Sequence, residues 1–507
     1  MRTLTTAGIL LGLAASAWAK PAGPPPDLMA SVALTTGAGL QPVRDLANAF
    51  KPGAGALLTD AMLKTVIASA AHATSLDGLD TSGWTYLLVA DGGDVAVLGK
   101  ISDDKQLHAS VGKATLLAKD HWALVGPKTV VDKLGAYALD VLAKEPAPAA
   151  PLATVYMPNV MARYKSRIPG LKTAMMQSSQ GQVADFLAAD LDAMISIAND
   201  TQAVTIGLDT SAGSATIDIA LQPVASSRLA KFVGAQKPST FALLDKLPPT
   251  QAAMLLAGHL ETGPYRDGML ELMLKMYSAS VGNDMSAAVG AVMKASTGEL
   301  AMTADITPGS GFAMTQVFAL SDSKSAEAAI VHLLDLFKAP RKFQVMGYGT
   351  TFTTTPNNAT HDGVTVRGYE VAYDFSKLPA DQQKKLQGMF PATVHTRVAL
   401  FDGLGALVLA PKADAETNLL IDTARGKGSH FTPSRPVAEL LASAVARKDS
   451  FAFVMDFATL AAAFGKGPAL PGTSAPGVIA LGFADKQFHL RLATTFATIK
   501  TLAHTGP

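Results

Sequence analysis

The chain contains no cysteine, which excludes disulfides, thiol nucleophiles, iron–sulfur ligation, cysteine-type zinc sites and a lipidated cysteine anchor. Charge is scarce too. Asp, Glu, Lys and Arg make up only 16% of the residues, and 42 basic side chains nearly balance 41 acidic ones. Such a surface lacks the positive field that displaces counterions from nucleic-acid phosphates or docks on anionic membranes. The loop from Arg425 through Lys427 to Arg435 is a local basic exception, and isolated clusters of this kind are usually solvated. After the N-terminus no stretch is long and charge-free enough to span a bilayer. A disulfide-free chain of 507 residues must be held by buried apolar area, for which 49% hydrophobic residues are ample.

Catalytic signatures are equally sparse. There is no His-Glu-x-x-His, Gly-x-Ser-x-Gly, Walker A loop or Gly-x-Gly-x-x-Gly, and the ten histidines never fall at ligand spacing. No metal and no cofactor are expected. Asp91 and Asp94 flank a Gly-Gly turn, while Asp185, Asp190 and Asp192 lie along an expected helix, and neither set has the alternating oxygens and closing glutamate of a calcium loop. His121 and His259 read as packed or edge residues.

What is present begins at residues 1–19. Arg2, the apolar run Ala7 to Ala15 and the small-x-small Ala17-Trp18-Ala19 form a secretory signal cleaved after Ala19. The mature chain is expected to be periplasmic or secreted, and loss of Arg2 leaves it formally neutral. Residues 20–26 form a proline-rich leader.

The interior repeats itself. Ser102-Asp-Asp-Lys105 and Ser321-Asp-Ser-Lys324 each follow a strand and open a helix, and Gly126-Pro127-Lys128 and Ala410-Pro411-Lys412 do so again downstream. Each half closes on a hairpin running into a short helix, at 204–221 and 478–493. Pro26-Asp27 and Pro249-Thr250 open the two halves. These landmarks define two divergent copies, 27–237 and 248–505, of a module mixing helices with antiparallel strands, an α+β fold. The second copy carries an inserted hairpin-helix segment at about 341–392. At helical spacing stand Val43, Leu46 and Phe50, then Leu58, Met62 and Val66. Residues 85–99 read as a hairpin.

This order of landmarks resembles a group of secreted bacterial proteins classed as a domain of unknown function. The resemblance implies an exported bacterial protein and brings no catalytic residue or ligand with it.

Candidate sites follow from residue chemistry. Ser321 and Lys324 match the Ser-x-x-Lys pattern of serine acyl enzymes, although no Lys-Thr-Gly follows; the alternative is that Ser102 with Asp103, and Ser321 with Asp322, cap helices. Met269, Met273 and Met276 form an apolar helix surface, continued by Met285, Val289 and Met293, suited to an adaptable apolar groove or to ordinary core filling. In the insert, Arg341, Lys342, Tyr348, Tyr369 and Tyr373 combine the residue types enriched at interfaces, and the competing reading is that the insert extends the sheet. The leading functional reading is an exported, non-catalytic binding or scaffold protein with an apolar or proteinaceous ligand. An extracytoplasmic serine hydrolase and a structural envelope component are the alternatives, and the oligomeric state is open.

Overall fold

A computed structural model describes residues 23–505 except 149, 179–190, 193, 211–212, 262–282, 308–310, 337–340, 346–347, 375, 377–378, 381–382, 384–392 and 464–473. The secretory signal and Met269, Met273 and Met276 lie outside the described residues. The chain divides into two compact units, Met1–Arg44 with Ala56–Arg163, and Asp45–Gly55 with Tyr164–Pro507.

The first unit holds β1 (Leu28–Leu34), β2 (Leu79–Asp80), β3 (Thr85–Ala90), β4 (Val95–Ile101), β5 (Thr115–Lys119), β6 (Trp122–Gly126) and β7 (Leu152–Tyr156). The pairing is antiparallel throughout, in the order β7-β1-β3-β4-β6-β5, with β2 beside the end of β4. Hairpin β3–β4 turns at Gly92 and Gly93, both at positive φ, a conformation that glycine adopts without steric cost. Its helices include α1 (Asp60–Ala70), α2 (Asp104–Ser110) and α3 (Lys128–Asp140). Val130, Val131, Leu134 and Ala138 of α3 pack on Leu88, Leu98 and Leu124 of one sheet face, while Ile67 and Ala68 of α1 pack on Val97 and Val125 of the other. Met62 and Val66 of α1 are more than half exposed, so the apolar stripe of this helix faces outward in part.

The second unit holds β8 (Thr201–Asp209), β9 (Ser214–Pro223), β10 (Met254–His259), β11 (Ser296–Thr307), β12 (Gly311–Leu320), β13 (Arg341–Val345), β14 (Tyr348–Pro356), β15 (Ala359–His361), β16 (Val364–Asp374), β17 (Thr393–Phe401), β18 (Leu404–Leu409), β19 (Asp449–Asp456), β20 (Pro476–Gly482) and β21 (Phe488–Thr495). Antiparallel pairing runs β8-β9-β21-β20-β19-β10-β11-β12-β18-β17-β16-β14-β13, with β15 beside the start of β16. The connectivity β19-β10-β11-β12-β18-β17 has the same form as β7-β1-β3-β4-β6-β5. Because β9 pairs with β21, hairpin β8–β9 belongs to this unit although it precedes residue 237.

The two faces of this sheet differ in size and polarity. One register row runs Asp218, Arg491, Ala480, Ala452, Ala257, Ala301, Val317, Ala406. Its small side chains let α6 (Ala413–Ala424) and α7 (Arg435–Ala446) approach, burying Leu420, Ile421, Leu440 and Leu441 in the main core. The opposite face carries the large residues, in a row from Ile217 through Leu492, Ile479, Phe453, Leu256 and Met302 to Gln316 and Leu407. Ile217 and Leu492 remain 37% and 39% exposed.

Candidate functional site: an apolar cavity on the large-residue face

Two helices, α4 (Asn283–Lys294) and α5 (Ser323–Leu336), pack on one another, and α4 also packs on β11. Between them and the sheet lies a cavity of about 350 Å³, at the small end of the roughly 300–1,000 Å³ range of ligand pockets. The strands contribute Leu300, Gln316, Phe318, Leu407 and Val398; the helices contribute Val289, Val292, Met293, Ile330 and Leu333; Leu260, Ser296 and Gly298 complete the lining. Register explains the convergence of the strand residues: Leu300 faces Phe318, Gln316 faces Leu407, and Leu407 faces Val398 across antiparallel pairs, whose side chains share a face. The Phe318 ring lies over Gly405, where any side chain would collide with it, so the glycine sets the ring's position.

Among the described lining residues none is ionisable. Gln316, half-buried on β12, has no hydrogen-bond partner among the described residues. Val289 and Met293, read in the sequence as continuing the methionine surface, line this cavity. Gln316 was not singled out by sequence reasoning. A lone amide in a strand whose neighbours on the same face are Met314 and Phe318 is the signal that could have found it.

At the Ser-x-x-Lys motifs, Ser321 Oγ donates to the Ala295 carbonyl at 2.9 Å. The cap is the neighbouring aspartate: Ser325 N–H donates to Asp322 Oδ1 at 3.0 Å, and Gln106 N–H donates to Asp103 Oδ1 at 3.0 Å. The Ser325 hydroxyl and backbone hold the Asp322 carboxyl below the ordinary range. Backbone N–H groups of Ser102 and Asp103 both reach Gly78 O, and those of Ser321 and Asp322 both reach Ala295 O. The sequence expectation of serine with aspartate as the cap thus resolves into an aspartate side chain and a serine backbone anchor.

The insert joins the sheet. Its β16 pairs with β17, β14 with β16 and β13 with β14, and Val364 and Val366 enter the main core. Register sets Arg341 opposite Phe352, Lys342 opposite Thr351, Tyr348 opposite Val345 and Tyr373 opposite Phe352. Tyr369 is half-buried opposite Thr396. The side chains of Arg341, Lys342, Tyr348 and Tyr373 lie outside the described residues.

The basic loop is neutralised at its start. Arg425 pairs with Asp402 at 2.8 Å and Asp362 at 2.9 Å, and Lys427 reaches Asp362 at 2.6 Å, which holds the Asp362 carboxyl low. Two further networks face the packed side of the sheet. Arg397, 1% exposed, makes a bidentate pair with Asp414 at 2.6 and 2.9 Å. Buried Asp449 meets Arg491 and Arg447, while Arg491 also faces Asp218, which His489 Nδ1 contacts at 3.0 Å. Burial pushes the Asp449 carboxyl up despite both arginines. These networks tie strands and helices together.

Among the described residues no group of His, Asp or Glu could hold a metal ion, and no helix is long and apolar enough to cross a membrane. No family model matches the chain, and no curated protein matches it. A solved structure described as crystal form III of TP0453 is similar over 53% of this chain and 100% of its own, at 8% identity and a TM-score of 0.25. At that level the likeness carries no argument about fold or function.

Proposed function

We propose that this is an exported, non-catalytic protein that binds an apolar ligand in the cavity between α4, α5 and the sheet. The observation that carries the reading is that the thirteen described lining residues include no ionisable group, because such a wall favours hydrocarbon and penalises charge. Export rests on the signal at residues 1–19 and on the resemblance to secreted bacterial proteins. A duplicated origin, with copies at 27–237 and 248–505 and an insert at 341–392, is part of the same reading. Matching connectivity in the two units and the matching backbone anchors at Ser102 and Ser321 support it. The hydrolase alternative loses ground because the Ser321 hydroxyl is committed to a backbone carbonyl. For the insert, membership of β16 in the sheet favours a structural role, and a partner-facing role rests on Arg341, Lys342, Tyr348, Tyr369 and Tyr373.

The test fills the space. Leu407→Trp should abolish binding of a solvatochromic naphthylamine dye that the unaltered protein binds, with cooperative unfolding retained. Unchanged dye binding in a folded Leu407→Trp protein would sink the reading.

A further inference from the structure

We infer that the cavity takes the hydrocarbon tail of a single-chain, uncharged acyl ester, and that Gln316 donates a hydrogen bond to the ester carbonyl. This rests on the apolar-ligand reading and narrows it to one ligand chemistry. Three observations converge on it.

The first concerns peptides. Every strand under the cavity is paired on both sides: β11 with β10 and β12, β12 with β18, β18 with β17, and β17 with β16. Those four strands offer no free edge to an incoming backbone, and the described lining side chains offer only the Gln316 amide and the Ser296 hydroxyl as polar groups. A peptide would leave most of its N–H and C=O groups unpaired in an apolar wall, which is strongly disfavoured. Hydrocarbon carries no such penalty.

The second concerns charge. A carboxylate or phosphate drawn inside would meet no cation among the described lining residues, and an isolated buried charge is strongly disfavoured. A free fatty acid or phospholipid headgroup must therefore stay outside. The volume of about 350 Å³ accommodates one chain more readily than two.

The third concerns the single amide. Gln316 stands on the sheet floor between Met302 and Leu407 in register, and its side chain has no hydrogen-bond partner among the described residues. An unpaired amide next to apolar walls discriminates against a ligand that cannot bond to it, and rewards a neutral carbonyl that can. An ester oxygen accepts from the Gln316 NH₂ without bringing charge.

The experiment compares three probes of equal chain length, a monoacylglycerol, the corresponding fatty acid anion at alkaline pH and the corresponding alkane. Each is titrated as a competitor of the naphthylamine dye on the unaltered protein, on Gln316→Leu and on Leu407→Trp. The unaltered protein should prefer the monoacylglycerol over both others. Gln316→Leu should weaken the monoacylglycerol about fivefold and leave the alkane unchanged or tighter, and Gln316→Met serves if the leucine variant unfolds. Equal affinity for the anion, or a monoacylglycerol-to-alkane ratio that Gln316→Leu does not move, overturns the ester assignment while leaving the cavity reading intact. If a folded Leu407→Trp protein competes for all three as before, the cavity reading itself falls.

Discussion

At the residue scale, the most exacting position outside the cavity is Arg397. Its guanidinium is almost wholly buried, and the bidentate bonds from Asp414 compensate its desolvation and hold the Asp414 carboxyl low. Removing the anion leaves the buried cation with only the Thr396 carbonyl at 3.0 Å and Glu370 at 3.9 Å, and because Asp414 itself is 57% exposed, Asp414→Ala should lower unfolding free energy by about 1–2 kcal/mol in denaturant titration. The double variant Arg397→Met/Asp414→Ala should recover most of that loss, because neither charge then needs a partner. Glu416 behaves oppositely. Burial and then repulsion from Asp305 raise its carboxyl above the ordinary 4.5, so its ionised form costs stability at neutral pH. That cost disappears as pH falls through the raised pKa toward 4.5. Glu416→Gln should therefore raise the melting temperature at neutral pH, with the advantage gone below the ordinary glutamate range. A gain independent of pH would show that the stabilisation has another origin.

At the element scale, β16 does more than extend an edge. Val364 and Val366 lie with Ala399 and Ala406 in the main core, and the strand satisfies the outer side of β17. Deleting 341–356, which holds β13 and β14, should leave a cooperative melt, since these are the outermost strands of the order and β16 keeps its pairing with β17. Extending the deletion through Asp374 should give a broadened transition or insoluble protein, because it opens a core cavity and bares β17. The sequence made the hairpins of the insert readable through alternation around Pro356-Asn357-Asn358. It also pointed to Val364 and Val366 as able to pack inward, the reading the core position bears out, but alternation alone could not decide between a buried strand and an exposed one.

At the scale of the whole molecule, a ligand that binds only the folded state should stabilise it in proportion to its occupancy, by about 2.7 kcal/mol at a hundredfold excess over Kd. A neutral acyl ester should raise the melting temperature and slow hydrogen exchange in α4, α5, β11 and β12. Protection confined instead to β13 and β14 would move the binding surface to the insert.

Period and caps were legible from the amino-acid order, because each depends on neighbours a few residues apart. The aspartates at 103 and 322, the hairpin at 85–99 and the alternation of β21 all belong to this local class. Which face of an element packs was decided by tertiary structure alone. In β21 the apolar residues Leu490 and Leu492 lie toward the open side while His489 and Arg491 are buried, because Asp218 and Asp449 from other strands meet them there. The cavity is a product of the same long-range pairing. Leu300 and Gln316 lie in one hairpin and Val398 and Leu407 in another, and only the long-range pairing of β12 with β18 brings the two pairs together under Val292 and Leu333.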